Sequence, residues 1–261
     1  MVDVTANGIR FNVVIEGPEG APWITFSNSH ATDLTIWDQQ AALLSDRFRV
    51  LRYDTRGHGK TEATKPPYDI AMLESDVIAL WDALNIERSH MVGLSLGGST
   101  GIGMAINHGD RIISLLGSDC RAWASKPDSW NARIKIAEDE GLEGAVPATI
   151  SRWFTAAYVE ENPPALEKVR NMIRNTSLDG YIGCARVLQT IDYTDRLGEI
   201  TCPVQFLAGD SDPAASPESI SKITDMVPGA KFDIVPDAAH IPNIQNPGPF
   251  NAFMTKFFDG T

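Results

Sequence analysis

The stretch His90-Met91-Val92-Gly93-Leu94-Ser95-Leu96-Gly97-Gly98-Ser99 decides the fold. An apolar, strand-like approach runs into Gly-x-Ser-x-Gly, and small residues in a helical pattern follow at once, which is the pattern of a nucleophile elbow. So sharp a reversal forces its central residue into a strained backbone region, where side chains two positions before and two after would collide. Gly93 and Gly97 remove them. Ser95 is then expected at the carboxyl edge of a sheet. The backbone N–H of Leu96, at a helix start, should face any negative charge developing on a substrate carbonyl. Short Gly/Ser patterns also occur in ordinary turns, so the surroundings must decide.

Before the elbow, extended runs over 2–6 and 9–16 are joined by Asn7-Gly8, a hairpin signal. A run over 23–27 ends in the polar loop Ser27-Asn28-Ser29-His30-Ala31-Thr32-Asp33, and a helix over 37–44 follows. A strand over 48–53 leads into Asp54-Thr55-Arg56-Gly57-His58-Gly59. The next segment, 69–84, is an amphipathic helix with Ile70, Leu73, Val77, Leu80, Trp81 and Leu84 on one face. Behind the elbow come a helix over 96–108 and a strand over 112–117. Strands alternating with helices imply parallel pairing through right-handed crossovers.

From about 119 to 190 the rhythm breaks into four helical stretches, near 128–140, 142–158, 164–175 and 179–189. Gly141 separates the first two, and Asn162-Pro163-Pro164 opens the third. Alternation resumes with a strand over 204–208, a helix over 217–226, a strand over 231–235 and a helix over 247–258. The expected architecture is α/β: a mostly parallel eight-stranded sheet with helices on both faces. Its core domain comprises 1–118 and 191–261, with a helical cap, 119–190, inserted after the sixth strand. Padding of one sheet face is the alternative for the helical block. Trp123, Trp130, Trp153, Phe154 and Tyr158 give it more aromatic surface than padding needs and favour a cap over a site.

A serine nucleophile needs a base to take its proton and an acid to hold that base in the right tautomer. Of five histidines, His90 begins the elbow strand, His108 ends the helix behind it, and His58 lies in a Gly-rich turn. Structural roles suit these three. His240 follows the final strand in Pro236-Asp237-Ala238-Ala239-His240-Ile241-Pro242, at the sheet edge where the elbow emerges, and is assigned as general base. The acid is Asp212 in Gly209-Asp210-Ser211-Asp212-Pro213, far enough past its strand to bend back to the imidazole, while Asp210 caps the turn. Asp119, just past the strand that follows the elbow, also has the reach, but a substrate-facing or loop-capping role is preferred. The second oxyanion donor is expected in the loop after the third strand, as the backbone N–H of His30. The His30 imidazole either faces the pocket or packs under the cap.

At 261 residues, 43% apolar and 21% charged, the chain suffices for one large α/β domain with an insertion. A net charge of −12 without any Lys/Arg cluster argues against a nucleic-acid partner. Three cysteines without a CxxC point to buried free thiols in a reducing compartment rather than a disulfide framework or a zinc site. The start, Met1-Val2-Asp3-Val4, lacks a basic-then-apolar leader, and no apolar run is long enough for a bilayer. A cytoplasmic protein without a membrane partner is the expectation.

These residues resemble the α/β-hydrolases, and the whole chain, cap included, is similar to the 3-oxoadipate enol-lactonases of aromatic catabolism. The resemblance lies in Ser27-Asn28-Ser29 with Trp37, in 51–59, in the elbow, and in Arg152-Trp153-Phe154-Thr155. It continues in Asp212 with Ala214-Ala215 and in Ala239-His240-Ile241 with Asn243-Ile244. The elbow and the Arg-Gly-His-Gly turn are shared by many hydrolases, whereas the Ser-Asn-Ser loop and the Arg-Trp-Phe-Thr segment are more particular. The resemblance implies hydrolysis of a five-membered enol-lactone bearing a carboxylate, without metal or organic cofactor. Where those enzymes have Leu-Gly-Thr in the oxyanion loop this chain has His30-Ala31-Thr32. In place of small neutral residues after the sixth strand it has Asp119-Cys120-Arg121. Both differences fall at the expected pocket wall, with Trp123, Trp130 and Trp153. A carboxylate approaching so acidic a protein needs a local cation, from Arg121, Arg133 or Arg152, unless these pair with surface acids. The expected partner is a small lactone or ester, and the expected state a monomer or homodimer. A carboxylesterase or cofactor-free perhydrolase could use the same residues, and a ligand sensor could keep them. Haloalkane dehalogenation would need a carboxylate at Ser95.

Overall fold

The structure, a computed structural model, describes residues 2–124 and 127–260. Its strands are β1 Val2–Ala6, β2 Ile9–Glu16, β3 Trp23–Ser27, β4 Arg49–Tyr53, β5 Ser89–Leu94, β6 Ile112–Ser118, β7 Val204–Gly209 and β8 Lys231–Val235. They form one eight-stranded sheet in the order β1-β2-β4-β3-β5-β6-β7-β8. Pairings β1–β2 and β2–β4 are antiparallel and the rest parallel. Ala6 faces Ile9 across the first hairpin, whose turn residues Asn7 and Gly8 both have positive φ, 44° and 75°.

Successive residues of the central strands divide between two apolar cores, one on each face, as a period of two requires. Val92, Leu116 and Leu207 pack with Trp37 and Phe250, while Met91, Leu115 and Phe206 pack with Trp81 and Ile102. The connecting helices are α1 Asp38–Leu44, α2 Ile70–Ala83 and α3 Leu96–Asn107. Asp69 stops the α2 pattern from extending further back: its carboxylate accepts the Met72 N–H at 2.8 Å as an N-cap.

Between β6 and β7 lie α4 Pro127–Trp153, α5 Ala156–Glu161, α6 Pro164–Asn175 and α7 Leu178–Thr190. Gly141, at φ 72° and ψ −177°, breaks α4 where the sequence places a boundary. The helix expected over 142–158 is instead two: it ends at Trp153, and Thr155 starts α5 by accepting the Tyr158 N–H. Leu166, Val169, Met172 and Ile173 form the buried face of α6. After β7 come α8 Pro217–Met226, α9 Pro242–Gln245 and α10 Pro247–Phe258. The short α9 has no counterpart in the sequence reading.

The helical block is tied to the sheet by an unusually close backbone approach. The Gly57 carbonyl accepts the Ser177 N–H at 3.1 Å and its hydroxyl at 2.8 Å. A Cβ at Gly180 would stand 2.4 Å from the Gly57 oxygen, and one at Gly57 2.5 Å from the Gly180 Cα. Only glycine at both positions permits this contact. Nearby, the Arg56 guanidinium and the Asp76 carboxylate form a buried ion pair, and Arg56 also lies over the Tyr68 ring. Among the described residues, no helix is long and apolar enough to cross a membrane.

Candidate active site

Ser95 sits between β5 and α3 with φ 54° and ψ −112°, a conformation that costs a non-glycine residue on the order of 1–3 kcal/mol. The reversal is held by the Ser95 N–H, which donates to the Ser118 carbonyl at 2.8 Å. Its tightness is what the flanking glycines serve. A Cβ at Gly93 would lie 2.4 Å from the Gly97 carbonyl group, and one at Gly97 2.2 Å from the Ser27 oxygen.

The three residues assigned from sequence as nucleophile, base and acid converge. His240 Nδ1–H donates to Asp212 Oδ2 at 2.8 Å, which leaves Nε2 as acceptor for the Ser95 hydroxyl at 2.9 Å. Asp212 and His240 are both buried, and Asp212 Oδ1 accepts the Ala214 N–H at 2.7 Å. Burial alone would raise the Asp212 pKa. The His240 charge, the His240 and Ala214 hydrogen bonds and one from Asp119 outweigh it and hold the carboxyl below its usual range. Asp210 holds the loop that carries His240, accepting the Asp237 N–H at 2.9 Å and the Ala238 N–H at 3.2 Å. The Trp153 ring lies 6.2 Å from the imidazole, centroid to centroid.

Asp119 is more than a loop cap. It accepts from the Ser118 hydroxyl at 2.5 Å and the Gly209 N–H at 2.9 Å, and it lines the cavity at Ser95. Burial, and then the neighbouring Asp212 charge, drive its pKa well above the usual carboxylate range. Among the described residues, Asp119, Asp212 and His240 are the group of potential metal ligands whose donor atoms all lie within 4.8 Å of one another. His240 Nδ1 is occupied by Asp212, so the set is arranged to orient an imidazole.

The oxyanion loop is anchored to β4: Asn28 Nδ2 donates to the Tyr53 carbonyl at 2.8 Å, and the Leu34 N–H to Asp54 Oδ1 at 2.7 Å. His30 lines the cavity, and its Nε2–H donates to the Tyr181 carbonyl at 2.9 Å. Both options left open for this side chain therefore hold together: it faces the pocket and packs under α7. Burial, then the neighbouring His58, lower its pKa to about 3, so it is neutral at working pH. The Ser29 hydroxyl, also on the cavity wall, is fully buried and has no hydrogen-bond partner among the described residues.

The cavity at Ser95 is small, about 50 Å³, and shares Arg121, Trp130, Arg133, Arg152 and Ala214 with an adjoining space of about 340 Å³. Its remaining wall from the helical block is Thr149 and Trp153 on α4 with Tyr181 and Leu188 on α7. Thr149, Tyr181 and Leu188 escaped sequence reading. The helical spacings Thr149/Arg152/Trp153 and Tyr181/Leu188 are the signal that could have found them.

Trp123, expected at the wall, is a correction. It does not line the cavity but bridges to Asp192 and packs against the core shared by Trp81 and Phe206. The chain turns away from the site there, because the Tyr193 N–H donates to the Ala122 carbonyl at 2.7 Å. Phe154 and Tyr158 likewise stack on each other, 5.1 Å apart, in the opposite core. The alternative that the cap arginines pair with surface acids also fails. Arg174 does so with Glu143 and Glu167, but among the described residues Arg121, Arg133 and Arg152 form no ion pair.

A family model described as the alpha/beta hydrolase family matches residues 20–253. The 3-oxoadipate enol-lactonase 1 of Acinetobacter baylyi is 34% identical over 250 residues, covering 96% of this chain and 93% of that protein. The 3-oxoadipate enol-lactonase 2 of the same organism is 32% identical over 258 residues, covering 97% and 96%. The crystal structure of the enol-lactonase from Burkholderia xenovorans superposes with a TM-score of 0.96 at 37% identity, covering 99% of this chain and 100% of that one. Sheet order, elbow geometry and these likenesses agree: the chain is a hydrolase that belongs to the alpha/beta hydrolase family, in its 3-oxoadipate enol-lactonase branch.

Proposed function

We propose that the protein opens a lactone ring by serine catalysis, acting on 3-oxoadipate enol-lactone or a close analogue. The observation that carries this reading is the unbroken relay from Asp212 through His240 to the Ser95 hydroxyl, at 2.8 and 2.9 Å. His240 Nε2 takes the Ser95 proton as Oγ bonds to the lactone carbonyl carbon and the carbonyl electron pair moves onto oxygen. The backbone N–H groups of His30 and Leu96, both on buried residues, are the donors assigned to that oxyanion. Collapse breaks the ring C–O bond, and the imidazolium returns its proton to the departing enolate oxygen. A water then gives its proton to His240 and attacks the acyl-enzyme. As the second tetrahedral intermediate collapses, the acyl C–Oγ bond breaks, His240 returns the proton to Ser95 Oγ, and the acid leaves. Asp212 holds the Nδ1–H tautomer and stabilises the imidazolium throughout.

In this reading the helical block is a cap, supplying Trp130, Arg133, Arg152 and Trp153 to the substrate chamber, with Asp119 and Arg121 from the loop that leads into it after β6. The test is steady-state turnover of 3-oxoadipate enol-lactone beside simple lactones and p-nitrophenyl esters, with Ser95→Ala as the blank. Fast, Ser95-dependent opening of the enol-lactone supports the proposal. Ester turnover without it would make the enzyme a carboxylesterase of broader range.

A further inference from the structure

Three guanidinium groups converge on one chamber of an otherwise acidic protein. Arg121 enters from the loop after β6, Arg133 and Arg152 from α4, and all three line both the cavity at Ser95 and the larger space beyond it. The Arg133 guanidinium carbon lies over the Trp130 ring, 4.4 Å from its centroid, and Arg133 donates to the Ser129 hydroxyl at 3.1 Å. The acid closest in influence to Arg121 is Asp212, which is committed to His240. Three half-buried cations without carboxylate partners repel one another: Arg133 falls to about 10, by burial first and then through Arg152 and Arg121. Such a cluster is unfavourable unless an anion neutralises it.

A single carboxylate satisfies one guanidinium in a bidentate pair, or bridges two. It leaves the third cation unanswered in a confined chamber that also holds the unpartnered Ser29 hydroxyl. We infer that the substrate carries two carboxylates besides the ester it loses, so that hydrolysis releases a tricarboxylate, with Arg121 serving the additional group. The inference rests on the lactone-hydrolase reading and refines its substrate class from a monocarboxylated to a dicarboxylated lactone.

The test separates binding from turnover. The Ser95→Ala protein is titrated calorimetrically, at pH 8 and fixed ionic strength, with adipate and with butane-1,2,4-tricarboxylate, which is adipate bearing one more carboxylate on its third carbon. Tighter binding of the tricarboxylate by about tenfold is expected. Arg121→Gln in the same background should erase the preference and Arg121→Lys should retain part of it, which separates lost charge from a damaged fold. Equal affinity for the two acids, or a preference that survives Arg121→Gln, overturns the inference. Because nothing is turned over, failure to open any lactone in a Ser95-dependent way would sink the functional reading alone, and a missing tricarboxylate preference would sink only this one.

Discussion

Asp119 and Asp212 leave neighbouring parallel strands and bring their carboxyl oxygens within 4.8 Å of each other and of the His240 ring nitrogen, with the pKa of Asp119 driven well up and that of Asp212 held down. Two acids thus reach the same imidazole neighbourhood, and their environments assign different tasks. If Asp119 works as a neutral donor to Asp212, amide replacements will behave oppositely at the two positions. Asp119→Asn should keep kcat/KM within about tenfold of wild type, whereas Asp212→Asn should lose about 10³–10⁴-fold through the wrong imidazole tautomer. Steady-state kinetics on any turned-over ester will check this, and equal losses would make Asp119 an ionised partner.

The upward shift of Asp119 has a signature in stability. A folded-state pKa raised above the unfolded value stabilises below the unfolded pKa, and that contribution fades as pH rises towards the folded pKa. Asp119→Asn has no such loss. Its Tm advantage over wild type should be least near pH 4 and grow towards pH 7, as thermal melts across that range would show.

His58 carries the opposite sign. Its Nδ1–H donates to the Arg56 carbonyl at 3.0 Å while Nε2 is buried without a partner, and burial lowers its pKa to about 4. Stability from this neutral imidazole is complete above about pH 6.5 and is lost as pH falls towards 4, since the unfolded chain binds the proton first. His58→Gln should therefore flatten the stability slope between pH 6.5 and 4 by about 1.4 kcal/mol per pH unit. Urea midpoints at several pH values measure it, and an unchanged slope would mean His58 is charged in the fold.

Strain at the elbow predicts a trade between activity and stability. Ser95→Ala and Ser95→Gly should both lose about 10⁵–10⁶-fold in kcat/KM. The glycine variant alone is released from the cost of φ 54° and should be more stable than the alanine variant by about 1 kcal/mol. Equal melting temperatures would show that the backbone strain is not stored there.

Glycines predict contrasting outcomes. Gly180→Ala drives a methyl to 2.4 Å from the Gly57 oxygen and should destabilise by about 3 kcal/mol or more. Gly248→Ala, in α10 with nothing within 4 Å of the added Cβ, should be neutral or stabilising by up to about 1 kcal/mol. Chemical denaturation of the pair decides, and a tolerated Gly180→Ala would mean the contact can open.

The sheet was legible because period-two and helical patterns are local, and a turn that needs Gly93 and Gly97 around Ser95 leaves few alternatives. His240 and Asp212 were legible because both sit a few residues past strands that the alternation had already ordered. The chamber wall was not. Trp123 and Trp130 are alike in composition, but Trp123 is drawn to Asp192 and the sheet, and only packing decides that. The break after Trp153 depends on Thr155 acting as a cap, a weak signal inside an otherwise helical run. Asp119 lies near the site by sequence order, but its raised pKa follows from burial beside Asp212, which no single segment encodes.

The contact between Gly57 and Gly180 ties together two places 123 positions apart in the chain. Neither can drift while the other stays, because a side chain at either one fills the space its counterpart's backbone occupies. The helical block is therefore not a module that can be exchanged between related scaffolds. A graft that brings α7 onto a foreign sheet must find a glycine waiting in the turn after the fourth strand. Recombination libraries that cut between β6 and β7 should recover function only when both glycines come from parents that already share them.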